Sequence, residues 1–128
     1  QHQLQIRQLL DKDGLAEKVT AILGAECEDR WYHQARQSLA AGSPLAICII
    51  AEQLQRSRHC SLAEVFRGEL ALSVQVCRFR EFAEGVRARL IDKDNQPDWT
   101  FGSLDEVDEQ LLAVLFESPW PVSPLADL

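Results

Sequence analysis

The chain has 128 residues, 46% of them apolar and 26% charged, which is the composition and size of one compact domain and excludes disordered, collagen-like and disulfide-scaffold classes. Thirteen basic against twenty acidic residues leave a net charge of −7, without the broad basic footprint that binding along DNA or RNA requires. No nucleic-acid partner is expected. The imbalance is uneven: residues 78–93 hold 5 basic and 3 acidic groups, whereas residues 94–128 hold 8 acidic groups and no basic one. Segment 78–93 is therefore where an anionic ligand would be welcome. No apolar run reaches the ~20 residues that span a bilayer, and the start QHQLQIRQ has no signal-peptide core, so the expected place is the cytoplasm, away from membranes.

In chain order, Leu4, Ile6, Leu9 and Leu10 make a first short helix, broken at Asp11-Lys12-Asp13-Gly14, and Leu15, Val19, Ile22 and Leu23 a second. Trp31, Ala35 and Leu39 recur every four residues in a third helix from about Asp29 to Ala41, which Gly42 ends. Ser43-Pro44 is a start signal for a fourth: the hydroxyl can accept from free N–H groups of the first turn, and proline has none to waste. Ser61-Leu62-Ala63-Glu64 fits a capping box opening a fifth helix, apolar on more than one face and expected to be the most buried. Its polar members Glu69, Ser73 and Gln75 need partners or a cleft.

Phe82, Val86 and Leu90 predict an apolar stripe on a sixth helix over about 81–91, with Gly85 inside it marking a close helix contact. Residues 92–97 read as a polar turn. Ser103-Leu104-Asp105-Glu106 reads as a second capping box, opening a last helix with Val107, Leu111, Leu112, Val114, Leu115 and Phe116, and the proline-bearing tail from Ser118 cannot continue it. With no alternating strand pattern or hairpin turn, the fold class expected is all-α, six to seven helices in a single helical domain over 1–128.

Cys27, Cys48, Cys60 and Cys77 form no Cys-x-x-Cys pair and read as buried thiols, not metal ligands or disulfides. No nucleophile elbow, phosphate loop or His-Glu-x-x-His stands in the sequence. His2, His33 and His59 are scattered over surface or helix-flank positions, and Asp105, Glu106, Asp108 and Glu109 read as a solvated first turn. No catalytic residue and no metal ligand is expected in this chain.

Glu69-Leu-Ala-Leu-Ser73, Phe82, Glu84-Gly85-Val86-Arg87-Ala88, Leu90-Ile91-Asp92-Lys93-Asp94 and Pro97-Asp98-Trp99 together resemble the C-terminal part of the 3-hydroxyisobutyryl-CoA hydrolases. These are a branch of the enoyl-CoA hydratase/isomerase (crotonase) superfamily. Glu-Gly-x-x-Ala is shared across the superfamily; Glu-Gly-Val-Arg-Ala followed by Leu-Ile-Asp-Lys-Asp is more particular to the branch. The resemblance covers about two-thirds of the chain.

The resemblance implies a helical C-terminal segment, cut off from an N-terminal α/β core that would supply the oxyanion donors and the acids acting on a thioester. The parent would hydrolyse 3-hydroxyisobutyryl-CoA in valine breakdown without metal or separate cofactor, CoA entering as part of the substrate, and the segment alone would be inactive. The absence of any methionine, at position 1 included, fits a processed chain or a piece. The resemblance also implies a basic contact to CoA phosphates just after Glu-Gly-x-x-Ala, for which Lys93, Arg87 and Arg89 are the candidates. Expected partners are the acyl-CoA, the missing core and, through exposed apolar surface, further copies in a homo-oligomer. The competing readings are an independent helical protein-interaction module and part of a hydratase or isomerase acting on another acyl-CoA.

Overall fold

The computed structural model describes residues 2–128, with side chains from Gln3 onward, so the surface expectation for His2 lies outside the described side chains. The described residues are helical, with no strand among them, and the all-α expectation holds. Contacts divide the chain into two compact units, Gln1–Gly42 and Ser43–Leu128.

The first unit contains α1 (His2–Leu10), α2 (Leu15–Gly24) and α3 (Arg30–Ala41). Gly14 precedes α2 without a side-chain cap, whereas the Asp29 carboxylate accepts from the Trp31 N–H at 2.9 Å and opens α3. The buried face of α3 is one residue away from the predicted stripe: Tyr32 is buried and its hydroxyl donates to the Ile22 carbonyl, while Trp31 is 49% exposed. A phenol is amphipathic, so it seals the α2–α3 contact with its ring and satisfies a helix-end carbonyl with its tip.

The second unit contains α4 (Pro44–Arg56), α5 (Leu62–Arg78), α6 (Arg80–Val86) and α7 (Glu109–Leu115). Ser43 caps α4 by accepting from the Ala46 N–H at 3.2 Å, with Pro44 in the first turn. The Ser61 box is complete: its hydroxyl accepts from the Glu64 N–H at 3.3 Å, and Glu64 accepts from the Ser61 N–H at 2.7 Å. Leu45, Leu72 and Leu115, from α4, α5 and α7, form the core, wrapped by Ile49, Val76, Phe79, Phe101, Val107, Leu111, Leu112 and Phe116. The most enclosed side chain is Leu45 on α4, 2% exposed, and not one on α5, whose Leu62 and Phe66 stand at the surface. Of the polar residues on α5, Glu69 accepts from Gln53 at 3.2 Å, Gln75 donates to the Glu117 carbonyl at 3.2 Å, and Ser73 is exposed.

Three local expectations are corrected. The Ser103 box does not form: Glu106 accepts from the Gly102 N–H at 2.8 Å, so only a 3-10 turn, Leu104–Glu106, follows, and α7 is opened by Asp108, which accepts from the Gln110 N–H at 2.8 Å. The helix expected to run on to Ile91 stops at Val86 and widens into a π turn, Arg87–Ile91. The thiols are not buried: Cys60 and Cys77 are exposed, Cys27 and Cys48 half-buried.

Candidate functional site

The kink at Phe79, which ends α5 and opens α6 in extended conformation (φ −98°, ψ 142°), turns α6 back beside α4. Between them lies an apolar cleft of about 380 Å³. Its walls include Ile49, Phe82, Val86, Leu90 and Trp99, with Arg89 at the lining. The predicted stripe of Phe82, Val86 and Leu90 lines this cleft, and Phe82 and Leu90 remain 51% and 64% exposed.

One carboxylate in the lining is buried. Glu81 is 6% exposed; its Oε1 accepts from the Ser43 hydroxyl at 2.6 Å and its Oε2 from the Thr100 N–H at 3.0 Å. The pair joins the start of α4, the first turn of α6 and the segment leading to the core residue Phe101. Sequence reasoning missed Glu81. The available signal was an acid at the first turn of α6 between Phe79 and Phe82, at a position where burial demands partners.

Arg87 opens the π turn, and its guanidinium is surrounded. Nε and Nη2 donate to the two oxygens of Glu84 (3.0 and 2.8 Å), Nη1 to Asp92 (2.5 Å) and Asp94 (2.7 Å), and Nη2 also to the Gln96 carbonyl (3.1 Å). A guanidinium has five N–H donors, and all five are used. These hydrogen bonds, with one from the Asp98 N–H, hold the Glu84 carboxyl down at about 2; Asp94 is lowered by the same guanidinium and Arg87 itself is raised. Of the three predicted phosphate contacts, Arg87 is thus already committed to three carboxylates.

Arg89 and Lys93 are exposed, and neither makes an ion pair among the described residues. Asn95 ties them to one loop: its side-chain oxygen accepts from Arg89 Nη1 at 3.4 Å, and its amide nitrogen donates to the Lys93 carbonyl at 3.3 Å. Lys93 and Asn95 both take left-handed backbone conformations, φ 57° and 53°. Among the described residues, no group of three His, Cys, Asp or Glu side chains is placed to hold a metal ion, and no helix is long and apolar enough to cross a membrane.

The second unit thus presents an open apolar cleft with the Arg87-centred segment beside it, and sequence comparison gives the class of the chain. The family model described as enoyl-CoA hydratase/isomerase matches residues 1–116, and the chain belongs to that family. Particular relatives follow the branch that the Glu84–Asp94 motif suggested. The mitochondrial 3-hydroxyisobutyryl-CoA hydrolase of Dictyostelium discoideum is 34% identical over 88 residues, covering 68% of this chain and 23% of its own length. That of Danio rerio is 39% identical over 82 residues, 64% of this chain and 22% of the relative. Among solved structures, an enoyl-CoA hydratase from Rhodobacter sphaeroides 2.4.1 superposes with a TM-score of 0.78 at 28% identity, over 91% of this chain and 34% of that one. The chain therefore spans about a quarter of the curated relatives and a third of the similar structure.

Proposed function

We propose that the chain is the C-terminal lid and assembly segment of a longer acyl-CoA thioester hydrolase acting on 3-hydroxyisobutyryl-CoA, a valine-breakdown intermediate, and that these 128 residues alone are inactive. The observation that carries the reading is the cleft, apolar and open, with Phe82 and Leu90 half-exposed or more. An isolated module gains nothing from leaving such a face in water, whereas the catalytic core of a larger enzyme would bury it. Thioester hydrolysis needs an activated water or nucleophile and donors for the developing oxyanion. Glu81 and Glu84 are both engaged in structural hydrogen bonds, so those groups would come from the core. In this reading the parent needs no separate cofactor, and Arg89 and Lys93 meet the CoA phosphates at the rim. Arg87 does not.

The hydrolase reading is tested by joining the chain behind the preceding part of the Dictyostelium enzyme, in place of that enzyme's own matching segment. Thiol release from 3-hydroxyisobutyryl-CoA by the hybrid, and none by the chain alone, is the expected result. A folded hybrid without activity counts against it. The similar Rhodobacter protein, an enoyl-CoA hydratase by name, favours a second reading in which the parent hydrates another acyl-CoA. Loss of enoyl-CoA absorbance without thiol release would select that one. The names of the Dictyostelium and zebrafish relatives place them in mitochondria, so a mitochondrial parent stands beside the cytoplasmic one expected from sequence. Fractionation of the source cells decides between the two.

A further inference from the structure

We infer that Arg87 is a positioning residue: by drawing residues 92–98 around its guanidinium, it presents Arg89 and Lys93 together to the phosphate groups of an anionic ligand. The inference rests on the proposed reading of Arg89 and Lys93, and adds to it a reason why those two side chains are held ready.

The π turn sets up the geometry. The Asp92 N–H donates to the Arg87 carbonyl at 2.8 Å, five residues back, and the Asn95 N–H to the Ala88 carbonyl at 3.0 Å, so the chain reverses over its own last turn. This reversal brings Asp92, Asp94 and the Gln96 carbonyl to the guanidinium. The Asp98 N–H reaches Glu84 Oε1 at 2.7 Å, and the Gln96 N–H reaches Asp94 Oδ1 at 2.8 Å, closing the loop at both ends. Lys93 stands between two carboxylates that are turned inward to Arg87. Its backbone, at φ 57°, is in a region that costs a non-glycine residue energy, and the enclosing hydrogen bonds hold it there. Asn95, in the same conformation, carries Arg89. Removing the hub would release Lys93, Asn95 and Arg89 together.

A direct phosphate contact by Arg87 is the competing account, and charge separates the two. Glu84→Gln and Asp94→Asn each remove a negative charge and free guanidinium donors. If Arg87 or bulk charge bound the phosphate, both substitutions would tighten binding. If Arg87 positions the loop, both weaken it.

The test is a calorimetric titration of the 128-residue chain with CoA at low salt, alongside amide hydrogen exchange at Asn95, Gln96 and Asp98 and circular dichroism for helix content. The expected result is that wild type binds CoA and that Arg89→Ala and Lys93→Ala each weaken it. Arg87→Ala, Glu84→Gln and Asp94→Asn then weaken it roughly tenfold or more, with faster loop exchange and unchanged helix content. Arg87→Lys restores binding only in part, since an ammonium has three donors and no planar fork. Faster loop exchange in Arg87→Ala with unchanged CoA affinity overturns the positioning role and leaves the phosphate reading standing, as does tighter binding in Glu84→Gln. A wild-type chain that binds no CoA overturns the phosphate reading and this inference with it.

Discussion

Trp99 packs closely on Gly85: a methyl group built on Gly85 would stand 3.3 Å from the indole Cη2. The predicted close contact at this glycine is real, but its partner is an indole from the loop and not a helix. Alanine is worth up to ~1 kcal/mol over glycine inside a helix, yet here the indole would have to retreat. The flanking Asp98 and Thr100 N–H groups are held by Glu84 and Glu81, which leaves it little room to do so. Gly85→Ala is therefore expected to destabilise the second unit by about 1 kcal/mol, and to stabilise it once Trp99→Ala has emptied the space. A double-mutant cycle by urea unfolding reads this directly; a Gly85→Ala gain in the presence of Trp99 would show that the contact is slack.

Glu81 and Ser43 give a second prediction. The carboxylate has two donors aimed at it and is almost fully enclosed. Ser43→Ala removes one donor and the α4 cap at once and is expected to cost about 2–3 kcal/mol. Glu81→Gln keeps the shape but sets an amide NH2 against a donor, with a cost of about 1–3 kcal/mol. Chemical denaturation checks both, and a neutral Glu81→Gln would mean that the buried charge contributes nothing net.

The core predicts a contrast between positions. Leu45→Ala opens a cavity at the most enclosed side chain and is expected to cost about 2–5 kcal/mol, whereas Leu62→Ala, at the surface of α5, stays within about 0.5 kcal/mol. Equal effects at the two positions would contradict the observed packing.

Acid should undo the Arg87 loop before the rest of the unit. Glu84 and Asp94 are both held below the usual carboxylate range, Glu84 at about 2. A lowered carboxyl contributes stability that is present above its unfolded value near 4.5 and lost as pH falls toward its folded one. Arg87, being raised, stays charged throughout. The expected outcome is a loss of Asn95 and Asp98 amide protection between about pH 4.5 and pH 2, with no change between pH 6 and 8, and a flatter acid limb in Glu84→Gln. Protection independent of pH down to 2 would contradict it.

What could be read from sequence divides along physical lines. Helix starts at Ser43-Pro44 and Ser61 were legible because capping is a local exchange between a side chain and the next three N–H groups. The same logic failed at Ser103, where Glu106 accepts from the Gly102 N–H instead and Asp108, two residues past the turn, supplies the cap. The π turn has no compositional mark. Charge counting found the segment 78–93 but could not see that Arg87 is matched by Glu84, Asp92 and Asp94, since the last two had the look of an ordinary polar turn. Phe82 and Leu90 kept helical spacing while facing a cleft, because periodicity reports which residues share a face and not what covers it.

The claim that this chain is part of a larger acyl-CoA enzyme is tested most directly by the size of the native polypeptide. An antibody raised against the 128 residues would be used on the source cells. The account predicts a band several times larger than 14.5 kDa, in proportion to relatives of which the chain covers about a quarter. A single band at 14.5 kDa would contradict it and leave an independent helical module.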